Sequence, residues 1–147
     1  MAATATPYNH LWLCLLNGTI IPATDTIKLM LLSSAYTPDA EHEVLASVSG
    51  SQITGTGYTA GGHALTGVTA ARSGSLAALD AADLTFSGLT ATFRRGVLYA
   101  AVTRNGKVNP LIGHVLFDST PADVSVAGID YPVVWNSSGI LTLGPAA

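Results

Sequence analysis

Asp83-Leu84-Thr85-Phe86-Ser87-Gly88-Leu89-Thr90-Ala91-Thr92-Phe93-Arg94-Arg95-Gly96-Val97-Leu98-Tyr99-Ala100-Ala101-Val102-Thr103-Arg104-Asn105-Gly106-Lys107 reads as three short strands divided by turn residues. Residues 83–86, 89–94 and 96–103 are rich in Leu, Val, Thr and aromatics, and the breaks fall at Ser87-Gly88 and Arg95-Gly96. Asn105-Gly106 then supplies the residue pair of a tight hairpin turn. The rhythm continues downstream in residues 110–117, 124–127, 133–136 and 140–143. Short strands at this spacing predict an all-β fold, and connected antiparallel strands with a single helix predict a jelly-roll-like antiparallel β-sandwich.

Upstream the pattern changes. Thr26-Ile27-Lys28-Leu29-Met30-Leu31-Leu32-Ser33 is apolar without alternation, as in a strand buried on both faces, and Tyr36-Thr37-Pro38-Asp39 closes it with a turn. Residues 41–48 are the predicted helix: Asp39 is placed to cap it, Glu41 and Glu43 fall in its first turn, and Gly50 stops it. Leu11-Trp12-Leu13-Cys14-Leu15-Leu16, followed by Asn17-Gly18 and Thr19-Ile20-Ile21, reads as a hairpin. A helical turn over the first run is the alternative, because short apolar runs do not separate the two states by periodicity. Residues 1–10, small and polar with nothing to bury before Tyr8, read as an N-terminal arm that orders on a partner. Residues 11–147 read as one sandwich domain without repeat or linker.

Only 10% of the residues are charged while 48% are hydrophobic, and the net charge is −3. A surface so poor in charge is expected to be covered by a partner, which makes assembly the default. Six Lys and Arg, dispersed except for Arg94-Arg95, form no basic stripe for phosphate, so nucleic acid is not an expected partner. The apolar run 11–16 is too short to cross a bilayer and no cationic segment precedes it, so a membrane is not expected either, and synthesis in a cytoplasm is. Cys14 is the one cysteine, which excludes an internal disulfide and a Cys-pair zinc site.

Chemical motifs do not emerge. Gly55-Thr56-Gly57-Tyr58-Thr59-Ala60-Gly61-Gly62-His63-Ala64-Leu65 resembles a phosphate loop only in glycine content. It lacks the Gly-Lys-Ser/Thr of a P-loop and the strand, helix and acid of a dinucleotide fingerprint. Gly55, Gly57, Tyr58, Gly61 and Gly62 are therefore read as a structural glycine run, shaped for positive φ or close backbone approach. His10, His42, His63 and His114 are never three or four residues apart, so no metal or other cofactor is expected. No Gly-x-Ser-x-Gly is present, and Cys14 lies in an apolar run where a thiol is inert. Arg94, Arg95, Asp80 and Asp83 suit cross-strand pairs or charges on a neighbour, and Trp12 and Trp135 suit core or interface equally.

Asp25-Thr26-Ile27-Lys28-Leu29, Ser34-Ala35-Tyr36-Thr37-Pro38-Asp39, the glycine run from Gly55 to Leu65, and Gly139-Ile140-Leu141-Thr142-Leu143 occur in that order. So do Leu79-Asp80-Ala81-Ala82-Asp83-Leu84-Thr85-Phe86 and Pro110-Leu111-Ile112-Gly113. Together they resemble the small structural proteins of tailed bacteriophages from about residue 17 to 143. Within these, the chain is similar to the capsid cement, or decoration, proteins, such as that of the Bordetella tropism-switching short-tailed phage. The resemblance implies a non-enzymatic jelly roll on the outer capsid surface of the virion, bound to the major capsid protein and to itself, as a homodimer or else a trimer. It carries over no contact residue and no catalytic residue. A receptor- or carbohydrate-binding β-sandwich on the virion or tail is the alternative, since the same fold serves both.

Overall fold

The computed structural model describes residues 3–118 and 120–144. Its elements run β1 (Ala5–Pro7), α1 (Leu11–Leu16), β2 (Ile27–Leu32), β3 (His63–Ala64), β4 (Thr69–Ser73), β5 (Leu76–Asp80) and β6 (Leu84–Phe93). They continue as β7 (Arg95–Ala100), β8 (Thr103–Arg104), β9 (Lys107–Val108), β10 (Leu111–Leu116), β11 (Val124–Val133) and β12 (Leu141–Leu143). Every pairing between these strands is antiparallel, and the chain is an all-β sandwich with one short helix among the described residues.

A five-stranded sheet in the order β1-β10-β7-β2-β3 forms the centre. Leu29 and Leu31 of β2 and Leu98 and Ala100 of β7 join the main core, where Phe86, Leu89 and Phe93 of the β6–β11 pair meet them. Met30, Leu32, Val97 and Tyr99 point the other way, into a second core closed by Tyr8, Tyr36 and Val48. Burial on both faces explains why β2 is apolar at every position but Lys28 instead of alternating. A third sheet, β12-β5-β4, contributes Leu141 to the main core, with Leu79 packed against it.

Five expectations are corrected. The predicted helix over residues 41–48 does not form. Asp39 does accept the Glu41 amide at 3.0 Å, but Val44 is extended, and only single 3₁₀ turns follow at Leu45–Ser47 and Ser49–Ser51. Backbone bonds from Leu45 N–H to Asn109 and from Leu111 N–H to Glu43 tie the segment to the approach to β10, leaving those groups unavailable to a helix. The helix is instead Leu11–Leu16. Leu11 and Cys14, three apart, turn inward, and Asn17-Gly18 ends the helix with Gly18 at φ +75°, a left-handed stop and not a hairpin.

Residues 1–10 are not a free arm within their described part. Ala5, Thr6 and Pro7 pair with Val115, His114 and Gly113, and Tyr8 is wholly buried. Finally, Ser87-Gly88 is no turn. It lies inside β6, where inward positions switch from Leu84 and Phe86 to Leu89, Ala91 and Phe93, the phase slip of a β-bulge, with Gly88 at φ +59°. Arg95-Gly96 is no hairpin turn either. The chain changes sheets at Arg94, and Gly96 sits within β7 against Leu29 and Phe117. Asn105 (φ +49°) and Gly106 (φ +74°) do form the tight turn joining β8 and β9.

Candidate interaction surface

The glycine run lies across the two layers. A Cβ on Gly55 would stand 2.1 Å from the Thr90 carbonyl oxygen of β6, and one on Gly62 would stand 1.9 Å from that of Leu29 in β2. Gly57, Gly61 and Gly62 have φ of +79°, +90° and +82°. Between them, the Gln52 carboxamide oxygen accepts from the Tyr58 hydroxyl (3.0 Å) and the Gly61 amide (2.6 Å). The Tyr58 oxygen accepts from Leu31 N–H at 3.2 Å, and the Tyr99 hydroxyl donates to the Gly61 carbonyl at 2.6 Å. Burial pushes the Tyr58 phenol up to about 12, so it stays a neutral donor. These groups satisfy one another, and the loop is a clasp holding β6 against β2.

The histidines are spread over the fold. His63 packs on the Phe86 ring, centroids 4.8 Å apart, and His10 approaches Glu43 at 3.7 Å. His42 and His114 flank Tyr8 at 6.3 and 5.5 Å, and the Tyr8 and Tyr36 hydroxyls share a hydrogen bond. Burial, reinforced by the Arg95 cation, lowers the His114 pKa, and burial raises that of Tyr8, so both favour their neutral forms. Among the described residues no three His, Cys, Asp or Glu side chains converge in a way that could hold a metal ion. The buried Cys14 thiol is pushed up by desolvation, which suppresses the reactive thiolate.

Several of the other charges make structural contacts. Arg94 pairs with Asp123 at 2.9 Å, the Asp83 carboxylate accepts the Trp135 amide, and Asp80 caps Ala81. Arg104 forks onto Asp25 at 2.6 and 2.7 Å, joining the β8–β9 hairpin to the segment after α1. The Arg104 guanidinium holds the Asp25 carboxyl below the usual aspartate range.

What the surface offers instead is apolar. α1 buries only Leu11 and Cys14, leaving Trp12 (41%), Leu13 (54%) and Leu16 (88%) exposed, with Ile21 close behind in sequence. Beside the helix runs a cleft of about 240 Å³, walled by Leu11, Leu15 and Ile20 on one side and Ala77, Leu79 and Leu141 on the other. A pocket without convergent polar groups cannot orient a small polar ligand, but it can receive apolar side chains. Sequence reading left Trp12 between core and interface and did not single out Leu13 or Leu16. The signal was available in the run 11–16, whose six residues contain no charge, more apolar surface than a two-turn helix can bury on one face. Compared with known proteins, no family model, no curated protein and no solved structure matches the chain.

Proposed function

We propose that this protein is a phage capsid decoration protein that binds the outside of the major capsid protein lattice, together with further copies of itself, and stabilises the mature head. The observation that carries the reading is the charge-free surface of α1 and its adjoining cleft, in a chain whose ordered segments resemble the cement family. Apolar side chains projecting from a rigid sandwich suit docking onto another protein, since burying exposed apolar surface is favourable and tryptophan is enriched among the residues that carry binding energy. The mechanism is mass action. A protein that binds only the expanded lattice stabilises it by RT ln(1 + [L]/Kd), about 2.7 kcal/mol per site at a hundredfold excess over Kd, and multivalent attachment raises the avidity.

Reconstitution tests the reading. Purified protein added to shells lacking it should bind in hundreds of copies per particle, on the order expected for a lattice repeat, and raise their heat and low-salt resistance. Leu16→Asp should abolish that protection. Shells equally robust with and without the protein, or a content of a few copies per virion, would overturn the assignment.

A further inference from the structure

A sheet edge is a row of unpartnered backbone N–H and C=O groups, and folds blunt it with shortness, proline, charge or bulges because an open edge recruits another strand. Most edges here are blunted. β1 is three residues long and ends on Pro7, β3 has two residues, and β12 has three. β11 is long, but its register shifts on either side of Ile129, and it contains Asp130 and Pro132. β4 has no proline and no bulge, and only one charge, Arg72. It runs in unbroken register with β5, from Thr69 opposite Asp80 to Ser73 opposite Leu76, and no strand lies on its other side among the described residues.

Its side chains are small and exposed: Thr69, Ala70 and Ala71, with Arg72 the only charge. Arg72 is turned back onto its own hairpin, where Nε donates to the Gly74 carbonyl at 2.7 Å. The β4–β5 hairpin also leaves Leu76 and Ala77 exposed.

We propose that β4 is a self-association edge: a second copy of the chain pairs its own β4 antiparallel with Thr69–Ser73 about a twofold axis, joining two β12-β5-β4 sheets into one of six strands. The occupant follows from register and charge. An antiparallel strand pair is self-complementary, and centring the axis on Ala71 sets Arg72 opposite Ala70 of the partner subunit. Like charges then do not face each other, as they would if the axis passed through Arg72. The chain is acidic overall, yet the β4 edge carries no acid to repel a second copy. The proposal rests only on the self-associating half of the decoration reading, since shell contact is assigned to α1.

Sedimentation velocity of the full-length protein at about 100 µM, well above a micromolar Kd, should show a dimer. Oxidised Ala71→Cys should form a disulfide-linked dimer. Opposed antiparallel Cα atoms lie about 4.5–5.5 Å apart, within the roughly 4.4–6.8 Å that a disulfide spans. Ala78→Cys, one strand inward opposite Ala71, should not cross-link, and Cys14 is buried and does not compete. Ala71→Lys should weaken the dimer more than about tenfold by opposing two cations. A monomeric wild type overturns the proposal and leaves the edge to a strand of another protein. Absence of the residue-71 cross-link overturns it even if Ala71→Lys fails to fold, as does a folded Ala71→Lys dimer of undiminished affinity. Leu16→Asp separates the two readings: lost shell binding with an intact dimer concerns α1 alone, and lost dimerisation in Ala71→Lys concerns β4 alone.

Discussion

Gly62→Ala should be among the most damaging single-methyl changes in this protein. The added carbon would lie 1.9 Å from the Leu29 carbonyl oxygen, 2.6 Å from its carbon and 2.8 Å from the Met30 Cα, all backbone of the central strand β2. None of these atoms can rotate away, so either β2 or the clasp must move. The φ of +82° adds about 1–2 kcal/mol for any residue bearing a Cβ. Overpacking against a fixed neighbour adds about 1–3 kcal/mol. The expected total, about 2–5 kcal/mol, is a large fraction of the roughly 5–15 kcal/mol of a whole domain. At about 2–4 °C per kcal/mol for a chain near this size, the melting temperature should fall by about 4–20 °C.

Gly106→Ala is the matched control. Gly106 has a similar φ of +74°, but a Cβ there meets nothing within 4 Å, so only the conformational part, about 1–2 kcal/mol, should appear. Urea unfolding followed by tryptophan fluorescence, with the m-value checked for constancy, measures both. Equal losses in the two variants would refute the close-approach account and leave positive φ as the only role of Gly62.

Other expectations can be tested in parallel. Tyr8→Ala should destabilise the protein by about 3–5 kcal/mol, since it empties a wholly buried site and orphans the Tyr36 hydroxyl; an unchanged denaturation midpoint would return residues 3–10 to the status of an arm. Asp25→Asn should lower stability at pH 7. Because Arg104 depresses the Asp25 pKa in the folded state, the pair's contribution is present above the unfolded value of about 3.9 and is lost as pH falls through the folded one. The variant's acid-unfolding curve should therefore be shallower than the wild type's in that range, and parallel curves would contradict the linkage. Leu16→Asp, at an 88% exposed position, should change stability by no more than about 0.5 kcal/mol in thermal melts while removing shell binding.

Strands announced by composition were legible in the sequence: β2 from its apolar run around Lys28, β10 from residues 110–117, and the β8–β9 hairpin from Asn105-Gly106. What escaped was set by tertiary partners. Ser87-Gly88 has the composition of a turn, yet the same residues make a bulge when β11 continues alongside, and nothing local separates the two. The acids and Asp39 ahead of residue 45 favour a helix locally, but backbone bonds to the stretch before β10 decide otherwise. The described part of residues 1–10 looked dispensable because Tyr8 is a single aromatic, and its burial depends on a pocket built by Tyr36, Met30 and Leu111. In the glycine run the shape could be anticipated, whereas the backbones it approaches, Leu29 and Thr90, could not. The apolar face of α1 was hidden by the ambiguity of a six-residue run whose helical state fixes which side chains turn outward.

The placement of β1 has a consequence for how the molecule is made. Its register partner for Ala5 is Val115, so β1 waits for the synthesis of roughly a hundred further residues before it can pair, the long-range closure associated with slow folding. Until β10 is synthesised, one side of β7 has no neighbour and the pocket for Tyr8 is incomplete. Nascent chains are thus exposed to premature strand pairing during translation, and the order of synthesis, more than final stability, sets when the protein becomes safe from aggregation.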